Sequence, residues 1–361
     1  MTNIKKVIPV TAAELLTAAI VFGLCLVAIV GSRLSRLSDT SAIESDRPVH
    51  IYLHEKTDLQ TLSQMLADSG VVRSKEEMVW AGRLLGWNNF NTGHYLIDGG
   101  YSYDVLLSRM SRGIQDPVEI TIVPGLDKDR LISSLSSHFT FDSTQLAATL
   151  EDSSFLAGHG VTPDTWIGRM LPETYSMYWN TPPETVVRRI FSEFESLVAD
   201  KYSGRLDELD KTMDEIITLA SIIEWEVRHR EEKPEVSGLY WNRLEQGMRL
   251  QADPTVNYAV GERRRLLYED YKTDHPYNTY LYRGLPPGPI TNPSLHSIEA
   301  ALYPADHDYL YMVATPEGYH LFSETFEEHK EKSEKWREWL REQYRIKRER
   351  ERQQQQTSDV R

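Results

Sequence analysis

The chain has 361 residues, 40% of them hydrophobic and 26% charged, a balance that suits a globular protein of two domains with appendages and excludes a disordered chain. Its formal charge of −14 is unevenly spread: residues 331–361 carry +3 and the rest −17, and so acidic a body argues against nucleic acid as a partner. The single cysteine, Cys25, excludes an intramolecular disulfide and a thiolate metal site.

Residues 15–31 read LLTAAIVFGLCLVAIVG, uncharged with one threonine, and approach the roughly 20 apolar residues that cross a hydrocarbon core. No small-x-small cleavage site follows in Gly31-Ser32-Arg33-Leu34-Ser35-Arg36, so an uncleaved transmembrane helix is expected in place of a signal peptide. The apolar run continues past Cys25 and large Leu24 precedes it, which disfavours a lipoprotein. Lys5 and Lys6 before the span balance Arg33 and Arg36 after it, so charge leaves the orientation open. The short arm at 1–14 makes a single pass with the N-terminus in the cytoplasm the simpler expectation. Residues 32–47 read as a polar stalk.

A small module is expected at 48–124. Val49–Leu53 alternates as a strand. Asp58 caps a helix with Leu59, Leu62, Met65 and Leu66 at helical spacing, ended by Gly70. Ser74 and Glu77 form a capping box for a second helix that turns Met78, Ala81, Leu84 and Leu85 inward. A strand at 93–97, a helix at 103–110 and a strand at 118–123 follow. The strand–helix–helix–strand order resembles a LysM-type module, which implies a unit that holds N-acetylated glycans; a plain spacer is the alternative. His94 and Tyr95 read as strand residues, not as sugar platforms.

Residues 125–165 form a connecting segment, with helices expected at 143–156 and again at 185–197. The aromatic run Leu171 to Trp179, beside Pro172, either stacks on sugar rings or fills a core.

The chemistry concentrates after Asp214. Residues 216–223 are apolar or small on every side, so their helix should be buried nearly all round. Glu224 and Glu226 follow where burial is still expected. Glu224 shares a stripe with Ile217, Ala220 and Val227, and Glu226 with Leu219, Ile222 and Ile223. Desolvation predicts a raised pKa for either carboxyl, the condition in which a glutamate donates a proton to a glycosidic oxygen. The alternative is ion pairing with Arg228, Arg230 or Arg243. Pro254 predicts extended backbone around Met248–Val256, with Gln251 and Asp253 pointing the same way towards one substrate face. Tyr277-Asn278-Thr279-Tyr280 and Gly284-Leu285-Pro286-Pro287-Gly288-Pro289-Ile290 make a stiff loop that lines a cleft or only turns the chain. No G-x-S-x-G elbow, phosphate loop or H-E-x-x-H occurs, and the eleven histidines are scattered, so no cofactor and no metal are expected. Residues 331–352 predict a charged helix with a thin apolar stripe of Trp336, Trp339, Leu340 and Tyr344.

Taken in order, Ala220-Ser221-Ile222-Ile223-Glu224, Tyr240-Trp241-Asn242-Arg243-Leu244, Leu250-Gln251-Ala252-Asp253-Pro254-Thr255-Val256, the two loops above and Tyr309-Leu310-Tyr311-Met312-Val313-Ala314 resemble the YceG/MltG family of endolytic murein transglycosylases. The resemblance implies an α+β protein with an N-terminal transmembrane helix, a small LysM-like module and a larger α+β catalytic domain at 166–330. It implies Glu224 as the general acid/base, with Glu226, Gln251, Asp253, Tyr277 and Asn278 positioning substrate. The implied substrate is the peptidoglycan glycan strand, cut within nascent strands between N-acetylmuramic acid and N-acetylglucosamine to leave 1,6-anhydro ends and end elongation. Membrane peptidoglycan synthases are the implied protein partners, and the outer side of the cytoplasmic membrane the implied site of action. Two departures from the family pattern stand out: Trp225 where lysine is common, and Val123-Pro124-Gly125 where an acidic residue often parts proline and glycine. The rival readings are a muramidase-type hydrolase in which Asp253 activates water, and a glycan-binding scaffold without catalysis.

Overall fold

A computed structural model describes residues 11–43, 45 and 47–358, with side chains to 351. Most of the arm expected at 1–14, including Lys5 and Lys6, lies outside the described residues. The architecture is mixed α and β, led by a long apolar helix, and the chain divides into two compact units. The first is Met1–Val118 with Ser176–Asn180, the second Glu119–Tyr175 with Thr181–Arg361.

In the first unit α1 (Ala12–Leu37) begins at a capping box between Thr11 and Glu14. Its mean hydropathy reaches 2.5 and none of its apolar stretch is buried within the protein, so it is long and apolar enough to cross a membrane. The helix runs on into the segment expected as a stalk. Leu37 and Ile43 enter the core of the unit, and Ile43 exchanges backbone hydrogen bonds with Tyr101, so this stretch is packed and not a solvated tether.

Next come β1 (Val49–Leu53), β2 (Thr57–Asp58), α2 (Leu59–Asp68), α3 (Lys75–Leu85), β3 (Asn89–Phe90), β4 (Gly93–Ile97) and α4 (Tyr103–Arg112). β1 pairs antiparallel with β4, Ile51 opposite Tyr95, and β2 with β3, Thr57 opposite Phe90. Alternation along β1 buries Ile51 and Leu53 and leaves His50 and Tyr52 exposed. The Asp58 carboxylate caps α2 through the Gln60 and Thr61 amides. At α3 only half of the expected capping box forms: Ser74 accepts from the Glu77 amide, while the Glu77 carboxylate turns to Arg36 at 2.8 Å. Leu84, expected inward, is 46% exposed; the buried stripe of α3 is Met78, Val79, Ala81 and Gly82.

β5 (Pro117–Thr121) carries the chain into the second unit. There follow α5 (Lys128–Ser136), α6 (Ser143–Glu151), α7 (Ser153–Ala157), β6 (Thr174–Tyr178), α8 (Pro183–Phe194), α9 (Asp200–Leu209), α10 (Met213–Glu226), α11 (Lys233–Glu245), α12 (Asp253–Val260), α13 (Leu295–Leu302), β7 (Tyr311–Ala314), β8 (His320–Ser323) and α14 (Phe326–Ser358). The single helix expected at 143–156 is two, because Asp152 turns its backbone to the extended region and caps α7. The helix expected at 185–197 runs on through a π turn at Glu195–Ala199 into α9. Within Leu171–Trp179, Tyr175, Met177 and Trp179 are buried and Tyr178 is exposed, the alternation of a strand whose aromatics mostly fill core.

α10 is the axis of the second unit. A capping box between Thr212 and Glu215 starts it, and Ile216 to Ile223 are all buried. α11, α12, α13 and the turn Trp166–Arg169 surround it. Gly168 is required at that turn, since a Cβ there would fall 2.3 Å from an Ile217 methyl. Ser221, inside α10, accepts the Ile290 amide at 3.0 Å and so ties the proline loop to the helix. β7 and β8 pair antiparallel, and Tyr344 on α14 meets the Arg265 guanidinium of the loop after α12.

Candidate active site

Glu224 sits in the last turn of α10, its side chain 12% exposed. Every hydrogen bond it makes ends on one oxygen. Oε2 accepts from the Lys233 ammonium at 3.0 Å, the Ser294 amide at 3.1 Å, the Ser294 hydroxyl at 2.5 Å and the Ser297 hydroxyl at 2.6 Å. Oε1 takes none.

Local sequence explains each donor. Lys233 opens α11 immediately before Pro234, a residue suited to the first helical turn. Ser294 is the N-cap of α13, so Oε2 lies where amides and helix dipole favour a negative charge. Ser297 faces the same oxygen one turn into that helix.

The expected rise in the Glu224 pKa does not occur. Burial pushes it upward, but the hydroxyls of Ser294 and Ser297 and the Lys233 ammonium together bring it below the ordinary carboxylate value. Nor is the ion-pair partner one of the three arginines considered from sequence. It is Lys233, itself 8% exposed in its side chain.

Glu226, two residues on, is the raised carboxyl. Burial pushes it up to about 7, the Asp253 charge adds to the rise, and Tyr240 and Arg243 oppose it. Its Oε2 and the Tyr240 hydroxyl are buried, and among the described residues neither meets a hydrogen-bond partner at bonding geometry. Arg243 acts on it through its charge alone, since its Nε and Nη1 each donate at 2.6 Å to the carbonyls of Leu310 and Leu250.

Gln251 and Asp253 are not on a strand. Gln251 is exposed with φ at +50°, the left-handed region, and Asp253 begins α12. Proline in the first helical turn costs no hydrogen bond, which is why Pro254 starts a helix here and does not prolong an extended segment. The exposed Asp253 carboxylate accepts from Tyr280 at 2.7 Å and Tyr271 at 3.2 Å. Tyr277 is 5% exposed, packed 4.4 Å from the Tyr258 ring. Asn278 has no exposed surface; its amide nitrogen donates to the Tyr271 and Thr273 carbonyls, and its oxygen accepts the Tyr280 amide. These two residues shape the loop that presents Tyr280 to Asp253. The structure therefore gathers Glu226, Asp253 and, through Tyr280, the 277–280 loop on one side of α10, and Glu224 with Lys233, Ser294 and Ser297 on another.

Sequence reasoning missed Lys233, Ser294 and Ser297. The N-cap signal Asn292-Pro293-Ser294 ahead of an apolar helix was available, but nothing in spacing brings it to a helix some seventy positions earlier. The two departures from the family pattern meet each other: the Trp225 indole N–H donates to the Gly125 carbonyl at 3.0 Å, and the Arg263 guanidinium lies 5.0 Å over the indole. Asn292 completes the join, taking the Gly125 amide on its carbonyl and donating from its side chain to Val123. Among the described residues no group of three or more His, Cys, Asp or Glu is placed to hold a metal ion.

This geometry belongs to a chain with identifiable relatives. An endolytic murein transglycosylase of Bacillus subtilis (strain 168) is 28% identical over 312 residues, spanning 81% of this chain and 86% of the relative. One of Streptococcus pneumoniae serotype 2 (strain D39 / NCTC 7466) is 26% identical over 318 residues; the match spans 79% of this chain but only 58% of the streptococcal protein. The crystal structure of a YceG-like protein from Listeria monocytogenes superposes with a TM-score of 0.57 at 28% identity, covering 80% of this chain and 99% of the other. The YceG-like family model matches residues 51–335, most of the chain, and the protein belongs to that family.

Proposed function

We propose that the protein is a membrane-anchored endolytic transglycosylase of peptidoglycan, with Glu224 as its general acid/base. The observation that carries this reading is the state of Glu224: a nearly buried carboxylate with one oxygen fixed by four donors and the other free to meet a substrate atom. The names of the Bacillus and Streptococcus relatives supply the substrate class.

One carboxyl suffices for this chemistry because the attacking group comes from the substrate. Glu224 donates its proton to the glycosidic oxygen between N-acetylmuramic acid and N-acetylglucosamine, then takes the proton of the muramic C6 hydroxyl as that oxygen closes on C1. The result is a 1,6-anhydro end and no net hydrolysis. The attack is intramolecular, so its reactants are already gathered. Before substrate arrives Glu224 is ionised. A glycan strand laid over it excludes the remaining water, adds to the desolvation that already opposes the ionised form, and draws a proton in with the substrate.

In this reading α1 is a single-pass anchor with the N-terminus in the cytoplasm and the chain that follows it on the outer side of the cytoplasmic membrane. The module at 48–124 serves as a LysM-like glycan holder, 125–165 connects, 166–330 is catalytic and 331–361 is an accessory helix. Cleavage within nascent strands ends their elongation beside the membrane synthases that make them.

The hydrolase alternative has one observation in its favour: Glu226 and Asp253 form a pair with one carboxyl raised and one exposed, a pattern that suits an acid and a base. Mass analysis of products from purified sacculi decides between them. Anhydro ends are expected; reducing ends would transfer the chemistry to Glu226 and Asp253, and an absence of cleavage would leave a glycan-binding scaffold.

A further inference from the structure

Lys233 is 7% exposed, and its ammonium donates to three acceptors: Glu224 Oε2 at 3.0 Å, the Ser297 hydroxyl at 2.8 Å and the Ser294 hydroxyl at 3.4 Å. A lysine so buried is costly unless paired, and Glu224 is the carboxylate that pairs it. Its position also fixes the direction of the serine hydrogen bonds. With an ammonium donating to Ser297, the hydroxyl proton of Ser297 is free to point only at Glu224, 2.6 Å away.

We infer that Lys233 is a positioning residue that, with Ser294 and Ser297, occupies Oε2 of Glu224 and leaves Oε1 as the one oxygen that exchanges protons with the glycan. This rests on reading Glu224 as the acid/base. Protonation leaves the clamp intact, because a neutral carboxyl still accepts at its carbonyl oxygen, here Oε2, while carrying its proton on Oε1. In the first step the Oε1–H bond breaks as the proton joins the departing glycosidic oxygen, and the carboxylate left behind faces the Lys233 charge. In the second the C6 hydroxyl proton returns to Oε1 as the new C1–O6 bond forms.

The charges around Glu224 from each neighbouring element support a single controlling cation. α11 contributes Lys233. α13 contributes the two hydroxyls and one amide, and its His296 turns to Glu299 at 3.7 Å. α12 sends the Asp253 charge to Glu226, and the turn Trp166–Arg169 spends Arg169 on Asp214 at 2.6 Å. On α10 itself Glu226 lies on a different face, among Tyr240, Arg243 and Asp253.

The test compares the full chain with Lys233→Met and Lys233→Arg, following cleavage of purified sacculi against pH. Removing the cation should raise the pH at which kcat/KM breaks by about one unit or more. It should lower kcat by about 10- to 100-fold with little change in KM, since the charge acts when the carboxylate is regenerated. Lys233→Arg should restore the break. A folded Lys233→Met with the wild-type break, or an Arg variant that fails to move it back, overturns the inference. If Lys233→Met does not fold, Ser297→Ala gives the same direction with a smaller shift, and an unmoved break there overturns it equally. Titration of 13C-labelled Glu224 reads the shift without activity, so the clamp is judged even if Glu224→Gln still cleaves and the function reading is the one that falls.

Discussion

Two carboxyls stand two residues apart near the end of α10, and burial acts on both. Glu224 ends up below the ordinary carboxylate value and Glu226 is pushed up to about 7. The difference lies in what faces them. Glu224 meets an ammonium, two hydroxyls and a helix N-terminus; Glu226 meets the Asp253 charge, a tyrosine and the more weakly felt Arg243, with no hydrogen-bond partner for its Oε2 among the described residues. Desolvation alone therefore says little about a buried acid. The donors that tertiary structure brings to it decide the sign.

The largest effect that would break this comparison concerns Glu224 itself. Glu224→Gln preserves volume and the acceptor for Lys233 but removes the transferable proton, and should reduce glycan cleavage by about 1,000-fold while the protein stays folded. Near-normal turnover by that variant, measured on sacculi, would move catalysis to the other face of α10.

Glu226 gives the next largest effect, on stability. Its folded pKa of about 7 exceeds the unfolded value of 4.5, so the unfolded chain ionises first as pH rises. Stability is therefore lost progressively from about pH 4.5 to about pH 7 and stays lower above it. Glu226→Gln should match the wild type near pH 4 and exceed it near pH 8 by on the order of 2–3 kcal/mol in denaturant unfolding. An equal difference at both pH values would show that Glu226 does not titrate as described.

The smallest effect sharpens the link between the Glu226 side and the loops. Asp253→Asn removes the charge that helps raise Glu226, so the pH midpoint of the stability loss should fall. Cleavage should change by less than about 10-fold, since Asp253 takes no part in the transglycosylase reaction proposed above. A loss as large as that of Glu224→Gln would favour the hydrolase chemistry.

Much of the fold was legible in the chain. The apolar run at 15–31, the Asp58 cap, the all-apolar face at 216–223 and the family motifs follow from local patterning, which depends on residues within a few positions of one another. Pro254 misled, because proline disfavours helix before it yet suits a first helical turn, and only the packing of Ala252 and Thr255 against Thr279 chooses between the two. Tyr277 and Asn278 were legible as loop residues, but not as residues spent on holding the loop.

What the sequence determined by itself is that Glu224 and Glu226 stand on a buried helix, because the period of an apolar stretch is a local property. What only the tertiary structure decided is which of them carries a proton near neutrality. That depends on Lys233, Ser294, Ser297 and Asp253, residues from three other helices whose approach to within hydrogen-bonding or charge-coupling distance no spacing in the chain encodes.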